Sequence, residues 1–572
     1  MERSKLQKLL AVARGDEPAD LLLINGKIVN TLSYEIIEGS VALFNGYIVG
    51  VGDYEARAQV DLHGAYLSPA LIDGHIHIES SLLAPPEFAR TVVPWGTGAV
   101  VCDPHEIANV CGTRGIQYML DASERLPLDV YVMLPSCVPA THMETAGADL
   151  TPDDLRPFLS HPRVLGVAEV MNFPGVVLGI DPVLDKVDLA AGRPVDGHAP
   201  GVRGKWLNAY SAAGIQTDHE STELEEGHEK LRNGMKVFIR EGSTARNLEA
   251  LLPLVTPENC HRFSFVSDDR HADELQAIGH MNATVRKAVK LGLDPVIALA
   301  MASTHTAEHY GLHDTGAIAP GRRANLVLFE DLKEFKPLKV WRNGVIAAEN
   351  GKLIASIEDY STAGVTDTVR IGALNEQSFA VAATGDKVNI IEVIPDQIVT
   401  RRVEAALPQE AGCWIADTAR DIAKMVVIER HGRNGNIGRG FVKGLGLTKG
   451  ALASTVAHDS HNLICAGTND RDMLCAANAL KASGGGWVVV AGGKILAQVA
   501  LPVAGLMSND SASSVIAQIS RLHQAARQIG CPLDAPFMAL SFLALPVIPS
   551  LKLTDHGLVD VDKFMEIELG IS

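Results

Sequence analysis

Between residues 73 and 314 the chain returns again and again to one arrangement: a short apolar run ends in polar or ionisable residues and is followed by a stretch of helical composition. The run-ends are Asp73–Glu79, Ala99–Glu106, Val130–Ser136, Val164–Glu169, Pro194–His198, Gly214–His219, Lys236–Glu241 and Phe263–Asp269. Strands alternating with helical segments point to a parallel sheet. Eight such units predict an α/β fold, a (β/α)8 TIM-type barrel over 73–314 whose chemistry gathers at the C-terminal strand ends. The polar residues lie at those ends, so periodicity and chemistry agree.

The flanks carry a different pattern. Residues 3–14 have the spacing of a short amphipathic helix, and Leu21–Asn30 reads as two short strands around an Asn-Gly turn. Ser40–Val51 holds another Asn-Gly between apolar runs, and Ala324–Glu330 and Val340–Ala347 repeat the style much later. One small β domain assembled from 1–72 plus 315–360 is expected. Past Gly351 come Gly- and Asn-rich turns in His431–Gly440, a hairpin pattern from Trp487 and helical spacing from Ser511 to Gln528. These predict an α+β C-terminal domain over 361–572.

Length fits this division, since 572 residues exceed one core and suggest roughly three or four units. The formal net charge of −18 repels phosphate backbones and anionic lipid, which argues against nucleic acid and favours an uncharged or cationic small substrate. The eight cysteines form no Cys-x-x-Cys pair, so neither a zinc knuckle nor a disulfide framework is indicated and a cytoplasmic setting is expected. The first ten residues mix acidic and basic groups without a signal-peptide core. Phe537–Ile548 contains Pro546 and is far short of the ~20 residues a bilayer requires, so it reads as buried core and no membrane is expected.

The chemistry centres on Leu71–Ser80, where His75 and His77 stand one residue apart. Side chains two apart on a strand share a face, so both imidazoles can reach one point, and Gly74 beside them would let backbone and ion approach closely. Glu169, His198, His219 and Asp268 lie at later strand ends, making six potential ligands at one barrel mouth. Imidazole mixed with carboxylate suits Zn, Mn or Fe(II), and two ions about 3.5–4 Å apart, bridged by a carboxylate and a water, would use this many donors.

The run Asp73–Ser81, with Cys102–Glu106, Val167–Met171, Asp196–Pro200, Asp218–Ser221 and Ser267–His271, resembles the amidohydrolase superfamily and, within it, the adenine deaminase family. The resemblance covers essentially the whole chain. Many binuclear members bridge their metals with a carboxylated lysine at the end of strand 4, but Val164–Met171 has none, and Glu169 stands in that place. Lys186, the nearest later lysine, reads as part of an exposed helix. The resemblance implies hydrolytic deamination of adenine to hypoxanthine and ammonia by metal-activated hydroxide, in purine salvage. It further implies two divalent ions, Mn(II) or Fe(II) ahead of Zn(II), and a homo-oligomer.

On that mechanism Asp268 serves as ligand and base, and a separate acid must protonate the ring nitrogen next to C6, for which Glu106 is the candidate. Asp103 would modulate Glu106 or cap the turn before Pro104. Asp269 and His271 would hydrogen-bond the substrate or merely end the strand and cap the next helix. His305 and His309, four apart on a helix, read as structural. His458, Asp459 and His461 suit a second metal site, a loop closing the mouth, or a polar turn, and spacing does not separate the three. The rival chemistry is hydrolysis of a cyclic amide or N-acyl group on the same scaffold. A rival of another class is a non-catalytic metal-binding scaffold.

Overall fold

A computed structural model describes residues 2–571 apart from 244 and 396. All eight expected parallel strands form. β1 (Leu71–Ile76), β2 (Thr97–Cys102), β3 (Asp129–Leu134), β4 (Val164–Val170) and β5 (Val195–Gly197) pair in order as a five-stranded parallel sheet. β6 (Thr217–Asp218), β7 (Lys236–Arg240) and β8 (Phe263–Val266) make a second sheet of three. Ile72, Val101, Met133, Ala168, Phe238 and Val266, drawn from both sheets, bury their side chains in one cluster, so the sheets curl around a shared interior.

The expected uninterrupted ladder of eight strands is not what forms. Between β8 and β1 the link is a single parallel bridge from Ile76 to Asp268. Between β5 and β6 the Gln216 N–H donates to the Val195 carbonyl at 2.9 Å, but the next contact is made by a side chain. The Thr217 hydroxyl accepts from the Gly197 N–H at 3.1 Å and donates to Asp196 at 2.9 Å, taking the place of a main-chain rung. The polar composition of these two short strands thus interrupts the pairing.

Both flanks meet in one nine-stranded sheet, where Tyr66–Pro69 runs antiparallel to Leu326–Phe329. The Asn45-Gly46 and Asn343-Gly344 pairs are hairpin turns with positive φ at both residues, as two-residue hairpins favour. Asn25-Gly26 is not. Asn25 adopts φ 57°, but Ala19–Asn30 continues as one strand and the pair makes a bulge where the register against Glu35–Phe44 shifts. An Asn in the left-handed region satisfies a bulge as readily as a turn, which is why the motif alone misleads.

The C-terminal region builds a second nine-stranded sheet that includes Ile422–Ile428, Ala451–Ser454, Leu463–Gly467 and the hairpin Gly486–Ala491/Lys494–Ala500. Alternation along these strands sorts the side chains. Val426, Ala453, Cys465 and Val488 pack with Met473 and Leu480 of the helix Asp470–Ser483. Met425, Leu452, Ile464 and Val489 join the cluster shared by the helix Ala512–Gln528 and the parallel sheets. The Ser508 carbonyl accepts from Ala84 N–H at 3.0 Å, and the Ser508 N–H donates to the Leu82 carbonyl at 2.8 Å, fastening this region beside the mouth. Among the described residues no helix is long and apolar enough to cross a membrane.

Candidate metal centre

At the end of β1 the strand alternation turns His75 and His77 inward, and both are almost fully buried. His77 Nδ1 lies 3.0 Å from the Asp103 carbonyl, which fixes the ring and leaves Nε2 facing the interior. Gly74 serves packing rather than ion approach: a Cβ there would meet Val266 at 3.3 Å and Thr306 at 3.2 Å. Asp73 likewise is a clamp between β1 and β8, accepting from the Ser267 N–H at 3.0 Å and facing His280 Nε2 at 2.9 Å.

Glu169 at the end of β4 spans the centre. Its Oε1 faces His77 Nε2 at 3.3 Å and His75 Nε2 at 3.7 Å, while Oε2 faces His198 at 2.8 Å and His219 at 3.2 Å. Asp268 follows β8 with φ 57°, a left-handed backbone that lets its N–H donate to the His75 carbonyl at 2.9 Å. That turn brings Asp268 Oδ1 to 3.2 Å from His77 Nε2 and Oδ2 to 3.5 Å from His219 Nε2. All six residues selected from the sequence as ligands therefore converge.

The donor set fits divalent ions. His75 Nε2 and His219 Nε2 are buried with only carboxylate oxygens facing them at 3.2 Å or more and no well-formed hydrogen bond among the described residues, an expensive arrangement unless something coordinates them. Subsets such as His75/His77/Asp268 and His75/Glu169/His219 place their ligand atoms within 4.8 Å of one another. Burial pushes the Glu169 carboxyl up, yet His198, His219 and His77 hold it well below the usual carboxylate range. Burial acts on Asp268 in the same sense and is overcome by the Arg240 guanidinium, 2.6 Å from Oδ2, with help from His77 and His219.

Glu106, second residue of the helix His105–Cys111, lines the same cavity. Its Oε1 lies 2.7 Å from His458 Nδ1, and its Oε2 contacts His461 Nε2. Burial favours its protonated form, but His458, His461 and His105 outweigh that and hold it well below the ordinary range, while His458 is raised to about 9. Asp103 does not line the cavity. It accepts from the His105 N–H at 3.1 Å and meets His105 Nδ1 at 2.9 Å, so it caps the turn before the helix and orients that imidazole. Asp269 does line it, accepting from the Ser80 hydroxyl at 2.6 Å. His271 is turned elsewhere, edge-on to Trp487 with 6.2 Å between centroids, and precedes the helix Ala272–Ile278.

Several contributors escaped the sequence reading. Glu220, Arg240 and His105 line the cavity. Arg240 is buried at the end of β7, in contact with Glu220 and 3.4 Å from Asp269. A cation closing the apolar run Val237-Phe-Ile was the available signal for it. The C-terminal region supplies the opposite wall: Ile398, His458, Asp459, Phe542, Leu545 and Ile548. His458 stacks on Phe542 with 4.8 Å between centroids, so Phe537–Ile548 is buried as expected but also forms a cover. His305 and His309 keep structural partners, Tyr34 at 2.9 Å and Asp196 at 3.4 Å. Lys186 is not exposed as its helix suggested: its ammonium caps the Ser136 and Val138 carbonyls at 2.9 and 3.4 Å.

With this geometry in place, comparison with known proteins is informative. Residues 66–347 match the amidohydrolase family, and residues 397–565 match the adenine deaminase C-terminal domain. The chain is 48% identical over 567 residues to "Adenine deaminase 2" of Carboxydothermus hydrogenoformans, covering 99% of this chain and 100% of that one. It is 49% identical over 563 residues to an "Adenine deaminase" of Dehalococcoides mccartyi, covering 98% and 99%. A third relative, from Oleidesulfovibrio alaskensis and also named "Adenine deaminase", is 48% identical over 572 residues, with both chains covered completely.

Proposed function

The chain belongs to the adenine deaminase family of the amidohydrolase superfamily, and from that membership we propose how its residues divide the work of one hydrolysis. The enzyme is a metal-dependent hydrolase that deaminates adenine, a cyclic amidine, to hypoxanthine and ammonia. We assign His75, His77, Glu169, His198, His219 and Asp268 to two divalent ions, Mn(II) or Fe(II) ahead of Zn(II) on the resemblance to adenine deaminases, the mixed imidazole and carboxylate set itself suiting all three. Bound ions supply Lewis acidity and bring the pKa of water from about 15.7 toward 7.

One observation carries this assignment: the two oxygens of Glu169 face different histidine groups, His75/His77 on one side and His198/His219 on the other. A carboxylate so divided would hold one ion with each oxygen, with no need of a modified lysine. Asp268, kept ionised by Arg240, takes the proton of the attacking water. Protonation of the ring nitrogen falls to the Glu106–His458 pair. The depressed Glu106 and raised His458 mean that the pair holds its proton on the imidazole at rest, and the 2.7 Å contact lets Glu106 receive and pass it on. Met171, Phe542 and Leu545 offer apolar faces to the purine, and Asp269 offers an acceptor to a ring or amino N–H.

The shared interior of the two parallel sheets supports reading them as one (β/α)8 barrel over 73–314, between a β domain of 1–72 plus 315–360 and a C-terminal domain of 361–572. A homo-oligomer, a cytoplasmic setting and exclusion of nucleic acid accompany this reading, the last supported by the −18 charge. The test is ammonia release from adenine by protein reconstituted separately with Mn(II), Fe(II) and Zn(II), with adenosine and a cyclic amide as controls. Release from adenine alone, with metals ranked, is expected. Turnover of the cyclic amide in its place would overturn the substrate assignment.

A further inference from the structure

The helix His105–Cys111 begins at the metal-facing cavity and ends at a second one. Cys111, Gly147, Thr368 and His431 line this second cleft, with Arg114 and Arg370 at its exposed margin. Directly behind Thr368 lies Arg430, fully buried. Among the described residues its donors go to neutral oxygens: Thr368 Oγ1 at 3.1 Å, the Ala504 carbonyl at 3.0 Å, the Thr455 carbonyl at 3.5 Å and the His461 carbonyl. Among the described residues none of the three arginines forms an ion pair. Arg114 also borders a shallow depression holding Asp153 and Asp154 but pairs with neither, and Arg370 Nε donates to the Asp367 carbonyl at 3.3 Å.

Two guanidinium groups at the margin of the cleft and a third buried behind its wall, none in an ion pair among the described residues, stand out in a chain of net charge −18. All three act on the same Cys111 thiol, which burial pushes up to about 11 against their pull. Guanidinium is the side chain best matched to a tetrahedral oxyanion. We propose that this cleft binds a small phosphate-class oxyanion and that its occupancy is transmitted to adenine turnover. The route for transmission is the turn 457–462. Arg430 grips the His461 carbonyl and His431 Nε2 lies 2.8 Å from the Ser460 carbonyl, so one residue lining the cleft and the arginine that backs Thr368 hold the same turn that presents His458 and His461 to Glu106.

Calorimetric titration of the metal-loaded enzyme with inorganic phosphate and with ribose 5-phosphate tests this, using the wild type and the double variant Arg114→Gln/Arg370→Gln. Saturable binding of either probe, weakened at least about tenfold in the double variant, is expected. The tighter of the two probes tells whether the anion is free or carried on a sugar. Phosphate should shift the adenine kcat or KM of the wild type and leave the double variant unmoved, while turnover without phosphate stays equal in both. Absence of saturable binding, or equal binding in the double variant as expected for phosphate held by the metals, overturns the site. Binding with no kinetic shift overturns its coupling to turnover.

Discussion

On the parallel-sheet side of the pocket the proposed ligands stand at the ends of β1, β4, β5, β6 and β8, each within a residue or two of paired backbone. On the other side, His458, Asp459 and His461 come from a turn between the strands Ala451–Ser454 and Leu463–Gly467, and Phe542, Leu545 and Ile548 from the segment that follows the short helix Pro536–Ser541. The first wall is anchored by backbone and carries the ionic donors. The second is anchored by side-chain packing and meets the first through Glu106. Ion binding demands fixed donors, whereas enclosing a flat base and moving a proton to it demand a surface shaped around the ligand.

The sharpest way to break this division is Glu169→Gln. Loss of one oxygen's charge at the bridge should strip metal and lower turnover by more than about 10²-fold, beyond what a residue merely supporting a ligand costs. Metal analysis and ammonia assay on the same preparation decide it, with circular dichroism unchanged. Glu106→Gln probes the junction of the two walls. It should keep both ions and slow kcat by about 10²–10⁴. Full turnover there would remove Glu106 from the proton path.

His458→Gln tests the second wall alone. Losing a hydrogen bond to a charged group corresponds to about 10–10²-fold in kcat. If Glu106 and His458 act as a unit, the double variant Glu106→Gln/His458→Gln will be no slower than Glu106→Gln, whereas multiplying effects would separate them. The smallest effect concerns how the second wall is held. Lys552 is fully buried and donates to the Ile398 and Phe542 carbonyls, both at 2.9 Å, tying two cavity-lining segments together. Burial lowers its ammonium to about 7 from 10.5. Between those values the unfolded chain binds the extra proton, so this residue makes stability rise as pH climbs from about 7 toward 10.5 and fall as pH drops through 7. Lys552→Met should flatten that slope in melting curves taken from pH 6.5 to 9.5, a window of roughly the size such a linkage spans.

The same contrast explains how much of the molecule could be read from its sequence. Eight apolar runs with polar or ionisable ends foretold all eight parallel strands and all six residues that converge at one centre, Glu169 and the five around it, because strand alternation ties position in the chain to direction in space. No such rule governs the turn 457–462. Its three readings were equal in sequence because its placement depends on a sheet packed against the barrel from more than three hundred residues away from Glu106. Asn25-Gly26 misled for a related reason: a left-handed Asn reports a local backbone state, and the partner strand decides whether that state closes a hairpin or swells a bulge. Arg240 was visible as a charge inside an apolar run, and only its three carboxylate neighbours gave it meaning.

The antiparallel pairing of Tyr66–Pro69 with Leu326–Phe329 bears on the order in which the chain assembles during synthesis. Strands from the N-terminal flank emerge from the ribosome first but have no partner for one edge until all eight parallel strands have followed. That edge is an open template for pairing with other chains while it waits. When Leu326–Phe329 arrives it covers that edge and joins the two flanks of the parallel sheets, and three later strands then extend the sheet beyond it, so a stall before this segment leaves the nascent protein with its first edge still open.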